Sequence, residues 1–351
     1  DNNDAPVAGA WVFRLPEGQS AGAELMPNPD KPLPTDSEGY LPGGGELEQG
    51  DRLVALSQVD VREAISFTNK VTFFHTSGPP VKNGLLMRTF TDPGEVVLGV
   101  SKDNPFLLFH ITMVLEWDAR NDELFRTELT DGIMRASELL FDVTNGQAAL
   151  GQVVVLQSKE LWPSADVVVK ADNSMRPSAA IGGFTQAPLS ETVRINVTAD
   201  NLSETKVISN AYTNNQIRMG TVWDPFGEYT ADLGPDWWQA LAHELAHYLL
   251  FLPDNDLGFK VNNVLGKIDC QGSFMTSTFN PEYSEVLTEE GWNDICEKSL
   301  AELTTGRTDW ETITTFYPIL KEPGVGKALD GPSNLPLGVT SVTFFDPNEA
   351  R

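Results

Sequence analysis

The run WWQALAHELAHYLLFL, residues 237–252, constrains this chain more than any other feature. Trp238, Leu241, Leu245 and Leu249 recur at three- and four-residue intervals behind a Gly/Pro/Asp turn at 233–236, which is the signature of a buried helix. On it, His243, Glu244 and His247 form an H-E-x-x-H. Four residues are about 400° of helical rotation, so the two imidazoles stand roughly 40° apart on one face and one turn apart. That spacing lets both bind one tetrahedral Zn2+, with Glu244 beside them as a general base for the attack of water on a carbonyl. The chain has 4 His, at 75, 110, 243 and 247, so half of them fall in the motif. A catalytic zinc takes three protein ligands and keeps one position open. No His lies beyond 247, so a carboxylate is expected as the third ligand.

Around this helix the sequence reads as α+β. Over the first sixty residues short strands at 8–14, 35–41 (TDSEGYL) and 50–56 (GDRLVAL) are broken by turn chemistry, with a Pro/Gly/Asn-rich loop at 17–34. Alternating runs at 71–75 (VTFFH) and 95–100 (EVVLGV) extend that region. From Phe106 the pattern becomes strand (FLLFHITMVLEWD), helix (Glu123 to Phe141) and strand (QVVVLQ from Gln152), with further strands at 165–171, 191–198 and 217–224. This order predicts a small N-terminal β-sandwich over 1–100 and an α/β domain with a twisted mixed sheet over 101–322. A Pro/Gly-rich linker or tail follows at 323–351. The 351 residues suffice for two cores at roughly 100–200 residues each.

Charge narrows the partners. Lys+Arg total 24 against 50 Asp+Glu, a net −26, and such a surface repels phosphate backbones and anionic headgroups. Nucleic acid is therefore not expected. Neither is membrane insertion, because the longest apolar run, 106–114, is about half of the roughly 20 residues a span requires. The acidity makes Ca2+ a second candidate cation, with the turn Pro253-Asp-Asn-Asp256 as its place. Cys270 and Cys296 are either one bridge of a secreted enzyme or two buried thiols. The chain starts DNNDAPVAG, as a processed mature form or a piece of a longer chain would.

After the second histidine the sequence runs His247-Tyr-Leu-Leu-Phe251-Leu-Pro-Asp254-Asn255. The common metzincin continuation would place Gly at 250 and a ligand at 253, where Leu250 and Pro253 stand. The segment resembles instead the H-E-x-x-H-x-x-x-G-x-x-D-E motif of the calcium-activated chloride channel regulator family, secreted zinc metallopeptidases of metzincin type. The resemblance implies Asp254 as third ligand, with Phe251 replacing the motif's Gly and Asn255 its Glu. It runs from about 125 to 315. Residues 136–144 (ASELLFDVT) and the strand after them are similar to the first helix and strand of that catalytic domain. Residues 270–276 (CQGSFMT) are similar to its Met-turn, which implies Met275 as an apolar floor beneath the metal and a Cys270–Cys296 bridge tying this loop to the C-terminal helix. A ligand from a downstream helix, Glu282, Glu285 or Glu289, stays open. Tyr283, the nearest tyrosine beyond Met275, is the candidate to stabilise a tetrahedral intermediate. Residues 5–60 resemble transthyretin-like or carboxypeptidase-regulatory-like domains attached to secreted enzymes.

The expected function is that of a secreted or cell-surface zinc endopeptidase, metzincin-like, with His243, His247 and Asp254 holding Zn2+ and Glu244 activating water. The order of strands makes 217–224 the candidate edge along which a peptide substrate pairs main chain to main chain. Expected partners are a protein or peptide substrate and further domains of a longer chain. Two alternatives stay open: an adhesion or matrix-binding protein whose zincin domain processes only itself or one dedicated partner, and a zinc hydrolase of a non-peptide acyl or amide substrate. The sequons at Asn196 and Asn201 are expected on surface loops.

Overall fold

The computed structural model describes residues 5–19, 23–28, 30–43, 47–60, 65, 67–77, 88–89, 96–172, 175–199, 202–223, 233–259, 264–276, 285–323, 335 and 338–345. In chain order the strands and helices begin β1 (Trp11–Leu15), β2 (Glu24–Leu25), β3 (Arg52–Val59), β4 (Val71–Ser77), β5 (Arg88–Thr89), β6 (Val100–Leu115), α1 (Glu123–Val143), β7 (Ala148–Leu156) and β8 (Val167–Lys170). They continue with β9 (Leu189–Ala199), β10 (Leu202–Tyr212), β11 (Ile217–Gly220), α2 (Trp237–Leu250), β12 (Leu257–Phe259), β13 (Leu265–Lys267), α3 (Leu300–Thr305), α4 (Asp309–Phe316) and β14 (Ser341–Phe344). The fold is mixed α and β around one mixed sheet in the order β11-β8-β6-β4-β3-β1-β2, with β7 on the other edge of β6, β14 beside β7 and β5 beside β3.

Strand β6 organises this sheet because its FLLFHITMVL core is apolar on both faces. Leu107, Phe109, Ile111, Met113 and Leu115 point to one side, into the main core with α1 and α2. Phe106 and Leu108 point to the other, against Phe13, Val54 and Leu56. The first half of β6 pairs antiparallel with β4. Its second half pairs parallel with β8, and β7 runs parallel along the opposite edge. Residue 100, where the boundary was expected, is the first residue of β6, and the pairing of β6 with β4 joins the strands on both sides into one sheet in place of a separate N-terminal β-sandwich.

Three local expectations are corrected. Residues 35–41 form a turn and not a strand, because Asp36 Oδ1 accepts the N–H groups of Glu38 and Tyr40 at 2.9 and 3.0 Å, an Asx turn that competes with pairing. In the run 95–100 only Val100 is in a strand among the described residues. Residues 341–344, within the expected linker, form β14, parallel to β7. Thr340 fixes it by donating to Leu150 O at 2.7 Å and lying 2.8 Å from Ser137 Oγ.

Helix α1 starts where Asp122 caps Phe125 N, and it approaches α2 closely at Gly132, where a Cβ would sit 3.3 Å from the Trp237 ring. Helix α2 is seated on the sheet by polar anchors. Tyr248 donates to Asp166 Oδ1 at 2.9 Å, and Lys70 holds the same carboxylate at 2.7 Å. Trp237 Nε1 donates to Gly220 O, and Tyr317 donates to Leu249 O. The β9–β10 hairpin is a separate two-stranded sheet. At its base Glu191 accepts from Tyr212 at 2.6 Å and pairs with Arg307. Asn196 lies in β9, and Asn201 lies outside the described residues. No helix among the described residues is long and apolar enough to cross a membrane.

Candidate metal centre

Helix α2 carries His243 and His247 one turn apart, their ring centroids 4.6 Å from each other. The helix then ends in a left-handed turn at Phe251, φ 63° and ψ 18°. A left-handed residue at this place is usually Gly, since a Cβ strains it. Phe251 is held there by burial: its ring stacks on Phe316 at 3.8 Å and meets the edges of Tyr212 and Phe67 at 5.2 and 5.4 Å. Gly182 makes room, because a Cβ on it would lie 2.4 Å from that ring. The turn sends the chain back along the helix, so that Asp254 Oδ1 arrives 3.1 Å from His243 Nε2 and 3.3 Å from His247 Nε2.

These three side chains form the one group among the described residues whose ligand atoms converge in this way, all within 4.8 Å. A tetrahedral ion with bonds of about 2.0–2.1 Å would set its ligands about 3.3 Å apart, and both Asp254 distances match that edge. His247 Nδ1 lies 2.5 Å from Leu252 O and donates to it, which leaves Nε2 as the nitrogen that faces the cluster. His247 is buried, at 8% side-chain exposure, whereas Asp254 is at 50%, which leaves one side of the cluster open to solvent. Burial pushes the Asp254 carboxyl up, but hydrogen bonds from His243 and His247 hold it far below the usual carboxylate range. Burial likewise lowers the pKa of His247, yet contact with Asp254 and the charge of Glu244 leave it raised. Negative charge and two imidazoles thus already attract one another where a cation would sit.

No protein-family model, curated protein or solved structure matches the chain.

Glu244 is buried against the same cluster, at 8% exposure. Burial raises its pKa, opposed by the charges of His247, His243 and Arg176. Arg176 was not marked by any sequence pattern; it stands exposed on the loop between β8 and β9. That loop is pinned to α2, where Gly182 N donates to His247 O at 2.9 Å and Phe184 N to Tyr248 O at 3.3 Å. It also corrects the expected substrate edge. Strand β11 is terminal in the sheet, but Ser178 exchanges two backbone hydrogen bonds with Arg218, and Gly220 O is taken by Trp237 Nε1. The outward groups of β11 are already used at both residues.

The CQGSFMT loop lies beside the ligand turn. Met275 is fully buried, and its carbonyl accepts Asn255 N–H at 3.1 Å, one residue past Asp254. The Phe274 ring is 6.2 Å from the His243 ring. The expected bridge is present: Cys270 and Cys296 form a disulfide that closes 26 residues. Of the alternative carboxylates, Glu285 and Glu289 are not in the converging group, and the backbone of Glu285 pairs with Gly272 and Phe274. Glu282 and Tyr283 lie outside the described residues. Asp256, the expected place for calcium, is not in the converging group, and its carboxylate stands 4.0 Å from Lys267 Nζ.

A buried residue that motif reading missed completes this corner. Asp309, at 2% exposure, accepts from Asn255 Nδ2 at 3.0 Å, Ser273 Oγ at 3.2 Å and Leu287 N at 3.2 Å. Ser273 Oγ in turn accepts Met275 N–H and Asn255 Nδ2. The Thr308–Glu311 capping box in TDWE marks a helix start in sequence, but nothing there marks Asp309 as buried.

Proposed function

We propose that the chain is a secreted zinc-dependent endopeptidase of metzincin type, with residues 101–322 as its catalytic unit and residues 1–100 accessory. The observation that carries this reading is the convergence of His243 Nε2, His247 Nε2 and Asp254 Oδ1 next to a buried Glu244, with one side of the cluster open. Zinc held by these three would supply a Lewis acid for a scissile carbonyl and a lowered pKa for water. Glu244 takes the proton from the attacking water and passes it to the leaving amine. Leu252 O fixes the tautomer of His247, and the turn at Phe251 holds Asp254 in place. Met275 underlies the site as a fixed apolar element, and Tyr283 keeps its proposed role at the tetrahedral intermediate. The disulfide supports an oxidising compartment, hence the extracellular assignment. The expected substrates are proteins or peptides.

The test is cleavage of a chemically unfolded, disulfide-free protein by the wild type and by Glu244→Ala, each with one equivalent of zinc. Activity in the wild type that falls at least about 100-fold in Glu244→Ala, with metal content unchanged, is the expected result. Equal cleavage by both would refute the role of Glu244. Bound zinc without any cleavage would favour self-processing or one dedicated partner over general proteolysis.

A further inference from the structure

We infer that Asp309 is a positioning residue for the metal centre: its buried carboxylate clamps the Asn255 turn to the Met275 loop and so fixes where Asp254 stands. The inference rests on reading His243, His247 and Asp254 as metal ligands.

Three separate chain segments end on this carboxylate. Asn255 follows the ligand directly, Ser273 opens the loop of Met275, and Leu287 belongs to the segment returning from it. The three partners are all neutral donors; no cation pairs with Asp309 among the described residues. A carboxylate taken so completely out of water without a cation is costly. An acceptor is nevertheless required, because Leu287 N–H, the Ser273 hydroxyl and the Asn255 amide all point into one dry space and would each be costly to leave unpaired. Only an acid offers acceptor sites for three converging donors. An amide or an apolar side chain would release at least one segment, and Asn255 is the segment that carries Asp254. Asp309 touches neither histidine nor Asp254, so its effect passes through Asn255 and the Asn255 N–H to Met275 O bond.

The closing experiment measures zinc affinity by chelator competition and the visible spectrum of the Co2+-substituted protein. The proteins compared are the wild type, Asp309→Asn, Ser273→Ala, the exchange pair Asn255→Asp/Asp309→Asn, and Thr308→Ala. The last breaks the cap of α4 without touching the network. Asp309→Asn is expected to weaken zinc about 10- to 100-fold and to alter the Co2+ bands, as loss of a ligand-orienting partner typically does. Ser273→Ala, which keeps the charge, is expected to weaken it less. The exchange pair, which returns an acid facing an amide, is expected to recover most of the affinity. Thr308→Ala is expected to lower stability and leave affinity and spectrum unchanged. Wild-type affinity and spectrum in a folded Asp309→Asn, or equal losses in Thr308→Ala, would overturn the positioning role. A wild type that binds no metal would instead refute the triad itself.

Discussion

Replacing Phe251 by Gly sets two effects of opposite sign against each other at the turn that delivers Asp254. At φ 63° a residue with a Cβ carries a strain of roughly 1–2 kcal/mol, which Gly removes. The Phe251 ring, 0% exposed, stacked on Phe316 and edge-on to Tyr212 and Phe67, is lost at the same time, and emptying such a site costs about 3–5 kcal/mol. Burial wins, and Phe251→Gly is expected to lose about 1–4 kcal/mol. Phe251→Ala keeps the strain and loses the ring, so it is expected to lose about 3–5 kcal/mol and to be less stable than the Gly variant, the reverse of their order in a helix. At about 2.1 cal/mol/K per residue, unfolding of 351 residues carries an entropy near 0.7 kcal/mol/K. The corresponding falls in Tm are about 1–5 °C for Gly and about 4–7 °C for Ala, readable by calorimetry. A Gly variant melting at or above the wild type would show that the ring contributes less than the turn costs. An Ala variant more stable than the Gly variant would refute the left-handed turn.

Two further outcomes follow from the core and the disulfide. Removing the bridge in Cys270→Ser/Cys296→Ser is expected to cost about 3.5 kcal/mol, the loop-entropy value for 26 closed residues, in urea unfolding at equal zinc; a loss below about 1 kcal/mol would contradict it. Burial pushes the Asp142 carboxyl up from its usual 3.8 to about 6, so the folded state holds its proton longer than the unfolded chain does. The contribution of Asp142 to stability therefore falls as pH rises from about 4 to 6 and stays level above. Asp142→Asn is expected to gain at most about 3 kcal/mol at pH 8 and nothing at pH 3, and a gain that does not depend on pH would be the contrary result.

The sequence carried the site better than its surroundings. Helix α2 was legible because apolar spacing, a turn before it and two imidazoles four residues apart agree. The β6, β7 and β8 strands were legible because they are apolar on both faces. Strand β10 was not, since Ser203, Glu204, Thr205, Lys206, Ser209 and Asn210 give it no apolar face, and among the described residues it pairs with β9 alone. Strand β14 was hidden by the Pro/Gly-rich stretch before it, although SVTFF alternates. The occupied edge of β11 was out of reach because Ser178 belongs to a loop with no strand pattern, and such tertiary pairing leaves no local trace. Asp309 was missed for a related reason: an acid in the first turn of a helix normally faces water, and only the assembled fold turns this one inward.

The most direct measurement is zinc content by elemental analysis, with affinity by chelator competition, on the wild type and Asp254→Ala. One zinc per chain in the wild type, with binding strongly weakened in the folded variant, is the predicted result. A wild type without zinc, or an Asp254→Ala variant that holds it as tightly, would contradict the central claim that His243, His247 and Asp254 form the metal centre.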